Sequence, residues 1–222
     1  MTSFDPKRSV SAPIGRREAN KQATRAALRE AAKRLFAERG FEATTVRDIA
    51  AAANVTERTF FRYFDGKEGL VAEETLAWIE RLHAAICARP SHEPPLTAVR
   101  EAMLEVVSRQ MRTETGPPIW LFNNSPRPLA PLRRATPRLL VRFERSIADA
   151  ILTRAEEAAN TAPTADLEYR ADVIARGAIA ALRSAIIQAR QLQSDDNSVT
   201  ADTVEELLRE AFAILRGEPH PT

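Results

Sequence analysis

Between residues 56 and 62 the chain sets out Thr56, Glu57, Arg58, Thr59, Phe61 and Arg62. Glu57 and Phe61 are four apart, as are Arg58 and Arg62, so on a helix they share a side. Phe60 and Phe64 are also four apart and fall on the opposite, inward side. The outward set suits the edges of DNA bases. Arginine can donate two parallel hydrogen bonds to guanine O6 and N7, and glutamate can accept from cytosine N4. The threonine hydroxyls suit a phosphate or a thymine methyl. Arg47 and Lys67 flank this group near two predicted helix starts, where basic side chains and free backbone N–H groups grip phosphates and set a docking register.

The elements that must hold these residues are legible from spacing. Leu28, Ala31, Ala32, Leu35 and Phe36 give one apolar face to a first helix over about 17–39. Lys21, Arg25, Arg29, Lys33 and Arg34 lie mostly off that face. Gly40 is expected to end the helix in a Schellman-type cap with Phe41 packed back on it. Thr45 and Asp48 have capping-box spacing for a second helix of about nine residues, with Val46, Ile49, Ala50 and Ala53 inward. Asn54 suits a left-handed turn. Thr56 is the expected N-cap of a third helix running through Phe64. Asp65, with Glu68 three residues on, is the expected cap of a fourth. Ile49, Val55, Phe60 and Phe64 would join the second and third helices as a helix-turn-helix.

Everything after residue 66 reads as helix, over about 67–89, 96–112, 137–157, 165–191 and 201–216, with one or two short helices in the Pro-rich stretch 119–137. No alternating strand pattern and no repeat is present. The expected fold is all-α: an N-terminal three-helix helix-turn-helix DNA-binding domain and a larger C-terminal helical bundle, about nine helices in total. The expected organisation is a basic arm at 1–16, the DNA-binding domain at 17–66, a ligand-binding and dimerisation domain at 67–217, and a tail at 218–222. Two readings of the arm stay open, a solvated tail or a segment that enters a minor groove.

Composition narrows the classes. Residues 1–70 carry 14 Lys/Arg against 9 Asp/Glu, and the remainder 18 against 21. A basic first third points to a polyanionic partner for that third. No apolar run is long enough to span a membrane and no signal-peptide pattern opens the chain, so a cytoplasmic protein, nucleoid-associated when on DNA, is expected. The single cysteine, Cys87, cannot pair within the chain and reads as an inert buried residue. The histidines, His83, His92 and His220, are scattered, no phosphate-binding glycine motif is present, and Ser184 and Cys87 have no evident base. The acid pairs Glu73-Glu74, Glu156-Glu157 and Glu205-Glu206 read as solvated helix surface. No enzyme, no metal site and no cofactor are expected.

The runs Gly40-Phe-Glu-Ala-Thr-Thr-Val-Arg-Asp-Ile-Ala50, Asn54-Val-Thr-Glu-Arg-Thr-Phe-Phe-Arg-Tyr-Phe64 and Lys67-Glu-Gly-Leu70, with Ala31-Ala-Lys-Arg-Leu-Phe36 before them, resemble the TetR family of regulators. The resemblance covers roughly residues 17–72. It implies a homodimer on a palindromic operator, most commonly a repressor. It also implies DNA contacts from Thr45, Arg47, Thr56, Glu57, Arg58, Thr59, Phe61, Arg62, Tyr63 and Lys67, and a small-molecule effector in the C-terminal domain. The chain departs from the family pattern in having Asn54 where glycine is common, Phe61 where tyrosine is common and Tyr63 where histidine is common. Phe61 has no hydroxyl for a phosphate, and Tyr63 can restore one nearby.

The segments 178–182 and 207–215 resemble a subgroup whose C-terminal domain takes acyl-CoA-like ligands, which implies a small apolar or acyl-type effector. By position the last two helices would form the dimer interface, with Gly177, Ala181 and Ser184 allowing close approach and Leu208, Ala211, Phe212 and Leu215 supplying apolar area. Intradomain core is the other reading of these residues. Pocket candidates are Trp78, Leu82, Ile86, Met103, Val107, Met111, Trp120, Phe122, Phe143 and Ile147, since small-molecule sites are concave and mostly apolar. Two rival functions remain at this point: an architectural or ligand-independent helical DNA-binding protein, and a helical enzyme or scaffold that only resembles a helix-turn-helix.

Overall fold

The computed structural model describes residues 15–112, 136–159, 164–194 and 200–218. Among them are eight helices and no strand: α1 (Arg16–Arg39), α2 (Val46–Ala52), α3 (Glu57–Phe61), α4 (Lys67–Cys87), α5 (Pro95–Arg112), α6 (Thr136–Ala159), α7 (Ala165–Ser194) and α8 (Ala201–Leu215). The expected all-α architecture is present. Most of 119–137, with Trp120 and Phe122, lies outside the described residues, as do residues 1–14 of the expected arm and 219–222 of the tail.

The start of α2 is built as its sequence requires. The Thr45 hydroxyl accepts from the Asp48 N–H at 3.1 Å, and Asp48 Oδ2 accepts from the Thr45 N–H at 3.0 Å. These bonds satisfy two donors the helix start leaves open. The Thr45 hydroxyl, which also donates to Asp48 Oδ2, and next the Thr45 N–H hold the Asp48 carboxyl below its usual range. The Schellman motif sits at the other end of α2, and Gly40 does not form one. Val55 N–H donates to Ala50 O at 2.9 Å and Asn54 N–H to Ala51 O at 3.0 Å, with Asn54 at φ 54°. Gly40 instead has φ 80° and ψ 162°, extended on the positive-φ side, so the chain leaves α1 straight into Phe41.

Two further boundaries differ from expectation. Helix α3 ends at Phe61, and beyond it Arg62 and Tyr63 make tighter turns, with Tyr63 N–H on Phe60 O at 2.9 Å, before Phe64 N–H reaches back to Phe60 O at 3.1 Å. Asp65 does not cap α4. The N-cap is Gly66 at φ 130°, and no side chain bonds to that end. That φ is a conformation side-chain-bearing residues rarely adopt, so the backbone angle favours glycine.

One continuous apolar core runs from Leu28 in α1 to Phe212 in α8. Phe60 is fully buried, Phe64 nearly so, and their ring centroids are 5.6 Å apart. Phe36 meets Phe41 at 5.0 Å. In the body, Trp78 meets Phe143 edge-on at 5.1 Å, joining α4 to α6. The inward stripe of α7, Ala171, Ala175, Ala178, Leu182, Ala185 and Ala189, is almost all alanine. Spacings of three and four with small side chains let α6 and α8 pack closely on it.

Polar groups fix the remaining joints. Arg154, buried in α6, donates to the carbonyls of Arg89, Pro90 and Glu93 and so ties down the α4–α5 turn. The pair Glu205-Glu206 splits. Glu206 faces solvent, whereas Glu205 is buried and joins α8 to α5, accepting from Ser108, from Arg112 at 3.0 Å and from Arg209 at 3.0 Å. The Ser108 hydrogen bond, aided by Arg112 and Arg209, holds its carboxyl below the usual range despite burial. A depressed folded-state pKa contributes stability above the unfolded-state value, and that stability is lost as pH falls through the folded value. The melting temperature of the native chain is therefore expected to fall on acidification below the ordinary carboxylate range. Glu205→Gln is expected to melt lower at neutral pH and to lose less on acidification, compared by thermal melts from pH 7 to pH 3.

Candidate nucleic-acid interface

The structure brings the predicted reading residues to one surface. Glu57, Arg58, Phe61 and Arg62 are exposed on α3, with Thr59 and Tyr63 half-buried at its margins and Arg47 exposed on α2. Phe61 leaves 56% of its surface in solvent, high for an aromatic. The opposite side of α3 is anchored by Phe60 and Phe64, so the face is carried on a rigid base.

Several of these side chains already have intramolecular roles. The Thr45 hydroxyl donates to Asp48 Oδ2 at 2.6 Å, and the Thr56 hydroxyl accepts the Thr59 N–H at 3.1 Å as the α3 cap. Both threonines thus set helix starts. Arg62 is steered by its neighbour: its guanidinium lies 5.1 Å from the Tyr63 ring centroid and donates to the Tyr63 hydroxyl at 3.2 Å. Arg58 and Glu57 show no such tether among the described contacts and extend from α3 toward solvent.

Lys67 sits differently from the expected phosphate grip. Its ammonium donates to the carbonyls of Phe41 at 2.7 Å, Thr44 at 3.0 Å and Glu42 at 3.4 Å. It also lies 4.3 Å from the Phe41 ring centroid. The side chain therefore clamps the 41–44 turn onto the start of α4. Buried Thr44 completes the joint by donating to Gly40 O at 2.8 Å.

Residues that the spacing argument left on the surface position the reader as well. Arg25 and Arg29 of α1 both reach Glu73 of α4, Arg29 at 3.2 Å, and Lys33 stands 3.8 Å from Glu74. Arg25 also lies 5.4 Å from the Phe64 ring centroid. Glu73 and Glu74 are therefore not solvated surface: the Glu74 side chain is 9% exposed. The signal was present in the sequence, since Arg25, Arg29 and Lys33 recur every four residues, but no local pattern names partners as far along the chain as Glu73 and Glu74.

The body holds the other candidates. Trp78, Leu82, Ile86, Met103, Val107, Phe143 and Ile147 are all buried in the α4–α5–α6 core, with Met111 at its edge. Of the expected dimer residues, Ala181, Leu208 and Phe212 are core residues of this same chain and cannot also face a partner. Gly177 lies beside Leu215 of its own chain, with 3.6 Å between Leu215 and the place a β-carbon would take, an ordinary contact. Ala211 is half-buried against the core, and Ser184 and Leu215 remain exposed. The exposed apolar residues of α7 and α8 that spacing missed are Tyr169, Val173, Ile187 and Ile214.

Cys87 is half-buried, with His83 Nδ1 at 3.7 Å from its sulfur, a neighbour the sequence reading did not assign. Burial, reinforced by Glu157, pushes the thiol up, which disfavours the nucleophilic thiolate. Among the described residues no group of three His, Cys, Asp or Glu could hold a metal, and no helix is long and apolar enough to cross a membrane.

The site is thus a helix-turn-helix whose exposed Arg- and Glu-bearing face stands on an all-helical body, the arrangement by which helix-turn-helix proteins enter a major groove. Residues 28–73 match the family model of the bacterial regulatory proteins of the tetR family. It is 39% identical over 102 residues to the HTH-type transcriptional regulator TcmR of Streptomyces glaucescens, covering 46% of this chain and 45% of TcmR. It is 44% identical over 62 residues to the HTH-type transcriptional repressor KstR2 of Rhodococcus jostii, covering 28% of this chain and 30% of KstR2. The matched stretch thus spans less than half the length of these relatives.

The fold extends further than the sequence likeness. A TetR-family regulator from Syntrophomonas wolfei superposes with TM-score 0.59 at 19% identity, covering 91% of this chain and all of that one. NalD, the secondary repressor of the MexAB-OprM multidrug efflux pump in Pseudomonas aeruginosa, superposes with TM-score 0.55 at 23% identity, covering 90% and 100%. Both relatives and both structures are regulators or repressors by name.

Lys67→Met keeps the apolar stem over Phe41 and removes three charge-assisted hydrogen bonds. A charged-group hydrogen bond contributes about 1.5–3 kcal/mol. The variant is expected to lower the melting temperature by several degrees with no DNA present. An unchanged melt would mean that the clamp does not hold the domain.

Proposed function

We propose that the chain is a sequence-specific transcriptional repressor that works as a homodimer on a palindromic operator and is released by a small-molecule effector. One observation carries this reading: the exposed Glu57, Arg58, Phe61 and Arg62 face, held on a buried Phe60–Phe64 anchor. Arg58 and Arg62 are the donors for guanine and Glu57 the acceptor for cytosine N4. Phe61, with its exposed ring, packs against a thymine methyl or the sugar. Arg47 grips the backbone beside the reader.

Dimerisation is supported by the exposed apolar residues of the last two helices, Tyr169, Val173, Ile187, Ile214 and Leu215. Two copies joined there must set their readers about 34–36 Å apart, or a multiple of that, to meet successive major grooves. The effector, small and apolar or acyl-type, would enter the α4–α5–α6 core around Trp78, Met103 and Phe143. SmeT, which shares this fold with TM-score 0.53 at 18% identity, has been solved as a triclosan complex. In this chain α4 carries both the clamp at Lys67 and the core residue Trp78, so a shift of α4 would move the readers. A coupling of about 1–3 kcal/mol changes occupancy roughly 5- to 150-fold. Such a regulator works in the cytoplasm, on the nucleoid.

The test is selection of genomic fragments by the purified chain at fixed salt. An enriched palindrome bound far above random DNA is expected. Salt-sensitive binding with no enriched motif would point instead to an architectural protein. On the selected operator, Arg58→Ala is expected to cost about 1–3 kcal/mol and to relax preference at one base pair per half-site, read by competition with single-base variants. Equal loss on operator and random DNA would remove Arg58 from base reading.

A further inference from the structure

Beside the α1–α4 ion pairs lies an open cleft of about 190 Å³, formed where α1, α4 and α5 meet. Its lining is Arg29 and Lys33 of α1, Leu70, Glu74, Ala77 and Arg81 of α4, and Gln110 of α5. It stands apart from the Met103–Phe143 core proposed for the effector.

The lining is unbalanced in charge, with three cations against one carboxylate. Glu74 is set deep, 9% exposed, and faces Lys33 at 3.8 Å. Glu30 approaches Lys33 from the solvent side at 3.7 Å, and Glu73 takes Arg29 at 3.2 Å. Arg81 has a different neighbour. It is exposed, and its guanidinium donates to Gln110 Oε1 at 3.2 Å, a neutral acceptor, with no carboxylate paired to it among the described residues. The Arg81–Gln110 bond also holds the fork at the mouth of the cleft. Leu70 and Ala77 give the wall an apolar strip suited to a short carbon skeleton.

We propose that this cleft binds a small organic polyanion, with Arg81 and Lys33 as its principal partners and Arg29 at its edge. Arginine is suited to this because its planar fork meets carboxylate or phosphate oxygens in pairs. The bound anion bridges α1 of the DNA-binding domain to α4 and α5 of the body, at the joint about which the reader would have to move. The site goes beyond the operator-binding reading, and its existence does not depend on it.

The test is isothermal titration of the full chain, without DNA, at constant ionic strength made up with sodium chloride. Citrate is the probe in one arm and inorganic pyrophosphate in the other. Saturable binding of one anion per chain is expected in at least one arm, and the arm that binds says whether the chemistry is carboxylate or phosphate. Arg81→Ala, at an exposed position that leaves the core intact, is expected to weaken it at least tenfold. Arg109→Ala, which removes an exposed cation of α5 outside the cleft, is expected to leave it unchanged. Absence of saturable heat with both anions, or equal weakening by the two variants, would overturn the proposal. Because no DNA is present, neither result bears on whether the chain reads an operator.

Discussion

An ammonium group set against three backbone carbonyls joins the two halves of this molecule. Lys67 is the first residue of α4, and its Nζ holds Phe41, Glu42 and Thr44 by their carbonyls. That turn leads directly into the capping box of α2, and α2 leads through the Asn54 turn into α3. The position of the reader therefore follows from where α4 begins. Gly66 matters for the same reason: its positive φ lets the chain turn from α3 into α4.

A second tie runs parallel to the first. Arg25, Arg29 and Lys33 lie along α1 opposite Glu73 and Glu74 of α4. Pairs with arginines about 40% exposed contribute little to stability individually. Their effect is on orientation, since they fix the side of α4 that α1 meets. Burial of Phe60 and Phe64 supplies the larger energy. Removing such a buried ring costs about 3–5 kcal/mol. Apolar burial thus decides that the domain folds, and the charged groups decide how it sits on α4.

The body shows the same division of labour. Its helices meet through alanines on α7 and through large side chains such as Trp78, Phe143 and Phe212. Buried Arg154 and Glu205 complete it, each hydrogen-bonded to groups of another element. A buried charge without partners is strongly unfavourable, so these residues specify the α4–α5 turn and the α5–α8 contact more than they add stability. The family likeness follows a similar gradient. The family model matches residues 28–73, while the fold is shared with structural neighbours over about 90% of the chain at identities below 25%.

By itself the sequence determined the features that depend on neighbours within a few residues. The capping box at Thr45 and Asp48, the left-handed Asn54, the Thr56 cap and the inward Phe60 and Phe64 are all local, and all stand where the spacing puts them. The all-helical class and the reading face of α3 follow from the same periodicity. Only the tertiary structure decided which polar residues were surface. Lys67 turns from the expected phosphate grip to a structural clamp, and Glu73, Glu74 and Glu205 from solvated acids to joints, because each meets groups at least 20 residues away. Ala181, Leu208 and Phe212 went to the core of their own chain for the same reason. A helical period shows that a residue lies on an apolar face, but not whether that face meets its own chain or another.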